Sequence, residues 1–140
     1  MIPVKLAQTE AEQRACAPVI LELRTHLSES AFLAQLKRQA AYGYQLAYTE
    51  EGGEVAAVAG FHIEEALAWG KYMYVYDLVT RGGVRSHGHG RALLHFLKTL
   101  AKDAGCAQLH LDSGVQRFAA HKFYLREGMI ISSHHFQVDL

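Results

Sequence analysis

"RSHGHGRALL", Arg85 to Leu94, sets two glycines, two histidines and two arginines directly in front of a run of strong helix formers. Upstream lies "KYMYVYDLVT" (Lys71 to Thr80), rich in Tyr and Val, which reads as a long strand. Downstream, "GRALLHFLKTLAKDAG" (Gly90 to Gly105) repeats apolar residues at helical spacing, with Gly105 as its natural end. A strand, then glycines, then a helix start is a physical recipe for holding an anion. Glycine lets the backbone turn sharply and approach a ligand. The first helical N–H groups lack intrahelical partners, and the helix dipole adds partial positive charge. Three readings compete for the stretch: a phosphate cradle, a histidine metal site or an ordinary turn.

Spacing narrows them. Arg85-Ser86-His87-Gly88-His89-Gly90 has the form Arg-x-x-Gly-x-Gly. It lacks the Gly-x-Gly-x-x-Gly of a dinucleotide fold, since position 93 is Leu, and the Gly-Lys-Ser/Thr of a P-loop. Zinc would need three or four converging ligands. His87 and His89, or His134 and His135, could supply them only if the fold brought the two pairs together. They otherwise read as exposed fillers between glycines and as residues alternating along a strand. No metal is expected.

The 140 residues fit one domain, 1–140, and half of them are apolar, enough for a real core. Acids and bases balance at 14 each, which gives no bulk charge for nucleic acid or a membrane surface. No secretory signal precedes the first elements, and the apolar runs are too short to span a bilayer. Cys16 and Cys106 lack metal or redox spacing and read as reduced, buried residues of a cytoplasmic protein.

Working outward, Pro3–Gln8 alternates as a short first strand. Thr9 caps a helix with Glu12 as its capping-box partner, and Pro18 is expected to kink or split it. Ser28 or Ser30 starts a second helix, closed by Gly43. Two strands follow around a Gly52-Gly53 turn, then the long strand and the helix already described. "CAQLHLDSG" is a strand, "VQRFAAHKFYLREG" a helix closed by Gly128, and "MIISSHHFQVDL" a final strand. The order β-α-α-β-β-β-α-β-α-β is that of an α/β domain on a mixed sheet.

Arg-x-x-Gly-x-Gly between a long strand and an amphipathic helix resembles the acetyl-CoA-binding motif of the GNAT N-acetyltransferase superfamily. "LHLDSGVQRFAAHKFYLREGM" is similar to that family's next strand and helix, with Tyr124 at its usual tyrosine position. The resemblance is best over Tyr72 to Met129. It departs where the family often has an asparagine, seven residues before the tyrosine; here that residue is Arg117. The resemblance implies an α+β fold: a central, mixed, mostly antiparallel twisted sheet flanked by about four helices.

It also implies acetyl transfer from acetyl-CoA to a primary amine, by direct attack in a ternary complex. The amine must lose a proton to attack, the thioester carbonyl gains negative charge, and the departing thiolate needs an acid. By the resemblance, the pyrophosphate sits on the loop of Arg85, Ser86, His87, Gly88, His89, Gly90 and Arg91. The pantetheine arm pairs with Leu78, Val79 and Thr80, and Tyr124 protonates the thiolate; Arg117 is a cofactor-binding candidate, but the family's asparagine contact to the pantetheine does not carry over to it. Asp77 is the first candidate base, because a carboxylate in an apolar strand is costly unless used or paired; a structural Asp77 that ties down a loop is the alternative. Glu22, Glu64, Glu65, His121 and water are further candidates, while His110 and His121 read as partly buried, satisfied histidines. Tyr74 and Tyr76 share a strand face and could line the acceptor pocket, or simply pack on the sheet. The acceptor is a small-molecule or peptide amine. A catalytically weak CoA-binding sensor or assembly module is the competing class, and Tyr124 favours the enzyme. A C-terminal strand with little chain left to pair it suggests a homodimer.

Overall fold

A computed structural model describes residues 1–140. The chain forms two compact units, Met1–His110 and Leu111–Leu140.

The first unit holds β1 (Lys5–Leu6), α1 (Glu10–Leu23), α2 (Glu29–Ala40), β2 (Gln45–Glu51), β3 (Glu54–Ala66), β4 (Gly70–Thr80) and α3 (His89–Asp103), with β5 (Gln108–Leu111) at its end. The five strands form one sheet in chain order, and β1 to β4 pair antiparallel. The Ala107 N–H donates to the Lys71 carbonyl, so β5 starts where β4 starts. The α3 crossover makes this the parallel neighbour, and the sheet is mixed.

Local chemistry accounts for the elements. Thr9 and Glu12 form the expected capping box on α1, and Ser28 caps α2. Pro18 lies inside α1 without splitting it. A proline removes one donor, and the buried row Cys16, Ala17, Val19 and Ile20 holds both sides of that gap to the core. Gly52 and Gly53, both at positive φ, join β2 to β3.

Packing places the elements. Cys16, Ala17, Val19 and Ile20 of α1 and Phe32 and Leu36 of α2 form one core cluster with Leu46, Tyr48, Val58 and Val79 of the sheet. Leu93, Leu94 and Leu97 of α3 are fully buried but stand outside that cluster, although α3 packs on β2, β3 and β4. Helix α3 therefore covers the opposite sheet face. Each of these leucines contributes about 1.5–3 kcal/mol by leaving water, which fixes α3 firmly behind β4.

The second unit contains α4 (Phe118–Arg126), followed by Gly128 at positive φ. Residues 129–140 form no strand, contrary to expectation. The apolar pattern Ile130, Ile131, Phe136, Val138 suits a strand, but a strand exists only where a neighbour completes its ladder, and here none does.

Candidate active site

The loop that joins β4 to α3 bends as the glycines require. Gly88 is the N-cap of α3 at φ 93°, a left-handed conformation that a β-carbon would strain. No side chain caps the helix. The first intrahelical bond visible at this end runs from the Ala92 N–H to the Gly88 carbonyl. The preceding first-turn amides of His89, Gly90 and Arg91 point out of the helix start, as an anion would need. Ser86 also has positive φ, 66°, so the loop is sharply turned at two places.

His89 is not an exposed filler. It is 3 % exposed, with Nδ1 2.9 Å from Thr49 Oγ1 and Nε2–H donating to Glu51 Oε1 at 2.9 Å. His87 donates to the same carboxylate from Nδ1 at 3.2 Å. Bonds from His89 and then His87 hold the Glu51 carboxyl below the usual carboxylate range. The two histidines thus anchor the loop to the end of β2. No group of three or more His, Cys, Asp or Glu residues gathers anywhere in the chain as a metal site would need. His134 and His135 lie in the exposed tail, where His135 pairs with Asp112 at 3.1 Å.

Two further contacts brace the loop. Arg85 Nε donates to the Thr80 carbonyl at 3.2 Å, and Glu22 accepts from the Gly82 N–H at 3.0 Å. Glu22, one of the alternative bases, is thereby tied to the loop and to Arg85, 3.7 Å away.

Strand β4 carries a bulge in its middle. Gly60 pairs with Asp77 and Phe61 with Val75, so Tyr76 is the unpaired extra residue. Past the bulge the ladder with β3 resumes at Asp77 and runs on through Leu78, Val79 and Thr80. Of these three, Val79 is buried and Leu78 and Thr80 half-buried. Tyr74 and Tyr76 do share a face, with ring centroids 4.5 Å apart.

Asp77 sits beside the bulge and both its oxygens are engaged. Arg24, the C-cap residue of α1, donates from Nε to Oδ1 at 2.7 Å, and Tyr44 donates its hydroxyl to Oδ2 at 2.5 Å. Arg24 also donates to the bulged Tyr76 carbonyl at 2.8 Å. Burial, and then the Asp77 charge, push the Tyr44 hydroxyl far above the usual phenol range, so it remains a donor. Gly60 makes the contact possible: a β-carbon there would lie 1.6 Å from the Tyr44 hydroxyl oxygen. Asp77, Arg24 and Tyr44 line a cleft of about 240 Å³ with His26, Gln35 and Gln39. Arg24 and Tyr44 carry no motif, and only the glycine inside β3 signals the close approach.

In the second unit, Tyr124 is half-buried on α4, and Arg117 is the helix's N-cap residue. Burial raises the Tyr124 hydroxyl above the usual phenol range, while the Arg117 charge opposes the rise. His121 Nε2 bonds the Gly114 carbonyl at 2.7 Å, and in the first unit His110 Nε2 bonds Gln108 at 2.8 Å, so both histidines are satisfied.

A mixed sheet with a bulged fourth strand, leading through a glycine turn into an uncapped helix, defines the acyl-CoA N-acyltransferase class. The chain belongs to the acetyltransferase (GNAT) family, whose sequence profile matches residues 6–129, and it is an acyltransferase enzyme of that family. It is 32 % identical over 139 residues to the uncharacterized N-acetyltransferase YhdJ of Bacillus subtilis, covering 98 % of each chain. It is 31 % identical over 86 residues to the aminoalkylphosphonate N-acetyltransferase of Salmonella typhimurium, covering 61 % of this chain and 54 % of that enzyme. A putative acetyltransferase from Agrobacterium tumefaciens shares the fold at a TM-score of 0.84 and 23 % identity, over 99 % of this chain and 100 % of that one. The family uses acetyl-CoA as cosubstrate. No helix is long and apolar enough to cross a membrane.

Proposed function

We propose that the protein transfers the acetyl group of acetyl-CoA to a primary amine of a small molecule or peptide, by direct attack. The observation that carries this is the start of α3: a left-handed Gly88, no capping side chain, and first-turn amides directed outward. The residues fit a pyrophosphate there. The amides from His87 to Arg91 would hold it, with Arg85 and Ser86 in the turn and Arg117 as a further cation for the cosubstrate. When bound, acetyl-CoA supplies an activated acetyl thioester.

The chain's own residues meet the remaining demands. Leu78, Val79 and Thr80 pair with β3 on one edge, while the four-residue β5 starts opposite Lys71, so the other edge of β4 at these residues can receive the pantetheine arm and polarise a carbonyl. Asp77 is the proton acceptor for the amine. Arg24 and Tyr44 orient its carboxylate, and each oxygen keeps a lone pair. Tyr74 and Tyr76 line the acceptor side. Tyr124 donates its phenolic proton to the departing sulfur, and its raised pKa keeps that proton in place at neutral pH. The chain works as one domain in the cytoplasm, without metal. A second copy pairs with the exposed apolar segment 129–140. Sedimentation that gives only monomer would remove that last element.

The test is release of free thiol from acetyl-CoA with a panel of amines. Turnover with at least one amine is expected. Tight CoA binding with no turnover on any amine would favour the sensor reading.

A further inference from the structure

The α1–α2 face of the sheet carries a second feature beyond Asp77. Glu64 stands directly across from Tyr72, and His62 across from Tyr74, so their side chains share this face. Tyr72 donates its hydroxyl to Glu64 Oε2 at 2.6 Å, and the Tyr76 hydroxyl lies 3.5 Å from Oε1. His62 bonds the same carboxylate from Nδ1. Trp69 stacks on His110 with centroids 3.8 Å apart and meets Tyr72 edge-on at 5.0 Å. The Tyr74 ring is nearly parallel to His110, at 6.4 Å, and touches Tyr76 at 4.5 Å.

Tyr72, Tyr76 and His62 therefore meet the Glu64 carboxylate directly, and Trp69, His110 and Tyr74 pack against those tyrosines. The cluster opens to solvent, with Trp69 36 % and Tyr76 47 % exposed and the Glu64 side chain 31 % exposed. His62 is the basic side chain on this carboxylate, and two cations of the neighbouring segments are committed elsewhere. Lys71 donates to the Ala104 carbonyl, and Arg24 to Asp77 and the Tyr76 carbonyl. The Tyr72 bond holds the Glu64 carboxyl below the usual carboxylate range, so its charge persists at neutral pH. Aromatic faces attract cations electrostatically, and a partly buried carboxylate adds to that attraction. The same surroundings oppose an anion, which would meet a fixed negative charge and ring faces.

We propose that the cluster of Trp69, Tyr72, Tyr74, Tyr76, His110 and Glu64 binds the cationic end of the acceptor, selecting organic ammonium compounds with an apolar body over amines that carry an anionic group. This rests on the acceptor side of the transferase reading. It also sets this chain apart from a relative named for aminoalkylphosphonates.

Trp69 is the only tryptophan in the sequence, so its emission reports on this cluster alone. The protein is titrated with phenethylammonium, with N-acetylphenethylamine as a neutral control and with 2-aminoethylphosphonate. Saturable quenching by phenethylammonium is expected, with both other compounds at least about 10-fold weaker. Glu64→Gln keeps the side-chain volume and should weaken the ammonium ion by about 10-fold or more, with thermal melting checking the fold. Tyr76→Leu, at an exposed ring, should weaken it by about 5-fold. No saturable response to any amine, equal affinity for the phosphonate, or an unaltered Glu64→Gln would overturn the proposal. Thiol release is read in parallel. Turnover without any Trp69 response sinks the cation site and keeps the transferase. Ammonium binding with no turnover on any amine sinks the transferase reading and keeps cation recognition.

Discussion

Helices α1 and α3 begin in opposite ways. At α1, Thr9 accepts from the Glu12 N–H at 3.1 Å and Glu12 returns a bond to the Thr9 N–H at 2.9 Å, so the helix start is closed by its own sequence. At α3, a glycine stands where the capping hydroxyl would be, and no side-chain cap bond is made. A carboxylate is nearby, and the bonds of Glu51 go to the His87 and His89 side chains. A closed helix start is a structural device worth about 1 kcal/mol. An open start forgoes that stability and leaves donors in place for a ligand. The same backbone physics thus closes one helix start for stability and, under the proposed function, opens the other for a ligand.

Separating binding from chemistry gives the largest effect. If Tyr124 is the proposed acid, Tyr124→Phe keeps the ring and removes it, so kcat should fall by about 10²–10⁴-fold, while CoA affinity should stay under the proposal that the open helix start binds the cosubstrate. Steady-state kinetics beside calorimetry checks this; full activity in the variant would take Tyr124 out of the mechanism. Its raised pKa also implies that the loss of activity at high pH, as the phenol ionises, begins above the ordinary phenol range.

Substitution at the two helix starts comes next. Gly88→Val forces a β-branched residue into left-handed backbone at a strain of about 1–3 kcal/mol, and should weaken acetyl-CoA by about 5- to 150-fold if that strain falls on the bound state. Thr9→Ala should cost about 1 kcal/mol of stability and leave acetyl-CoA affinity unchanged. Equal effects of both on binding would erase the contrast.

Acid is a gentler probe. The bond from the Thr9 N–H, then the Thr9 hydroxyl, hold the Glu12 carboxyl below its ordinary 4.5. A depressed carboxylate stabilises the fold fully above its unfolded value and loses that contribution as pH falls through its folded value. Wild-type melting should therefore drop below about pH 4.5, and Thr9→Ala should show a shallower drop. Chelation has the smallest expected effect: exhaustive treatment should leave turnover unaltered, and loss with recovery on adding zinc would recast the loop histidines as ligands.

Much of this was legible in the sequence because the signals are local. The capping box, the Ser28 start, the Gly52-Gly53 turn and the strand–glycine–helix motif each rest on a few adjacent residues. Pro18 misleads because tertiary packing outweighs one lost hydrogen bond. The tail misleads because strand pattern cannot supply a strand's partner. His89 looked exposed between glycines, but its burial depends on Thr49 and Glu51, about 40 residues away in sequence. The Arg24–Asp77–Tyr44 group is likewise long-range, assembled by a helix end, a strand start and a bulge.

The central claim is that the open start of α3 grips the pyrophosphate of the cosubstrate. Calorimetric titration with CoA and with pantetheine, which carries the same thiol arm without the pyrophosphate, tests it most directly. The account predicts that wild type binds CoA far more tightly than pantetheine, and that Gly88→Val removes most of that difference. Equal affinity of wild type for the two compounds would contradict it.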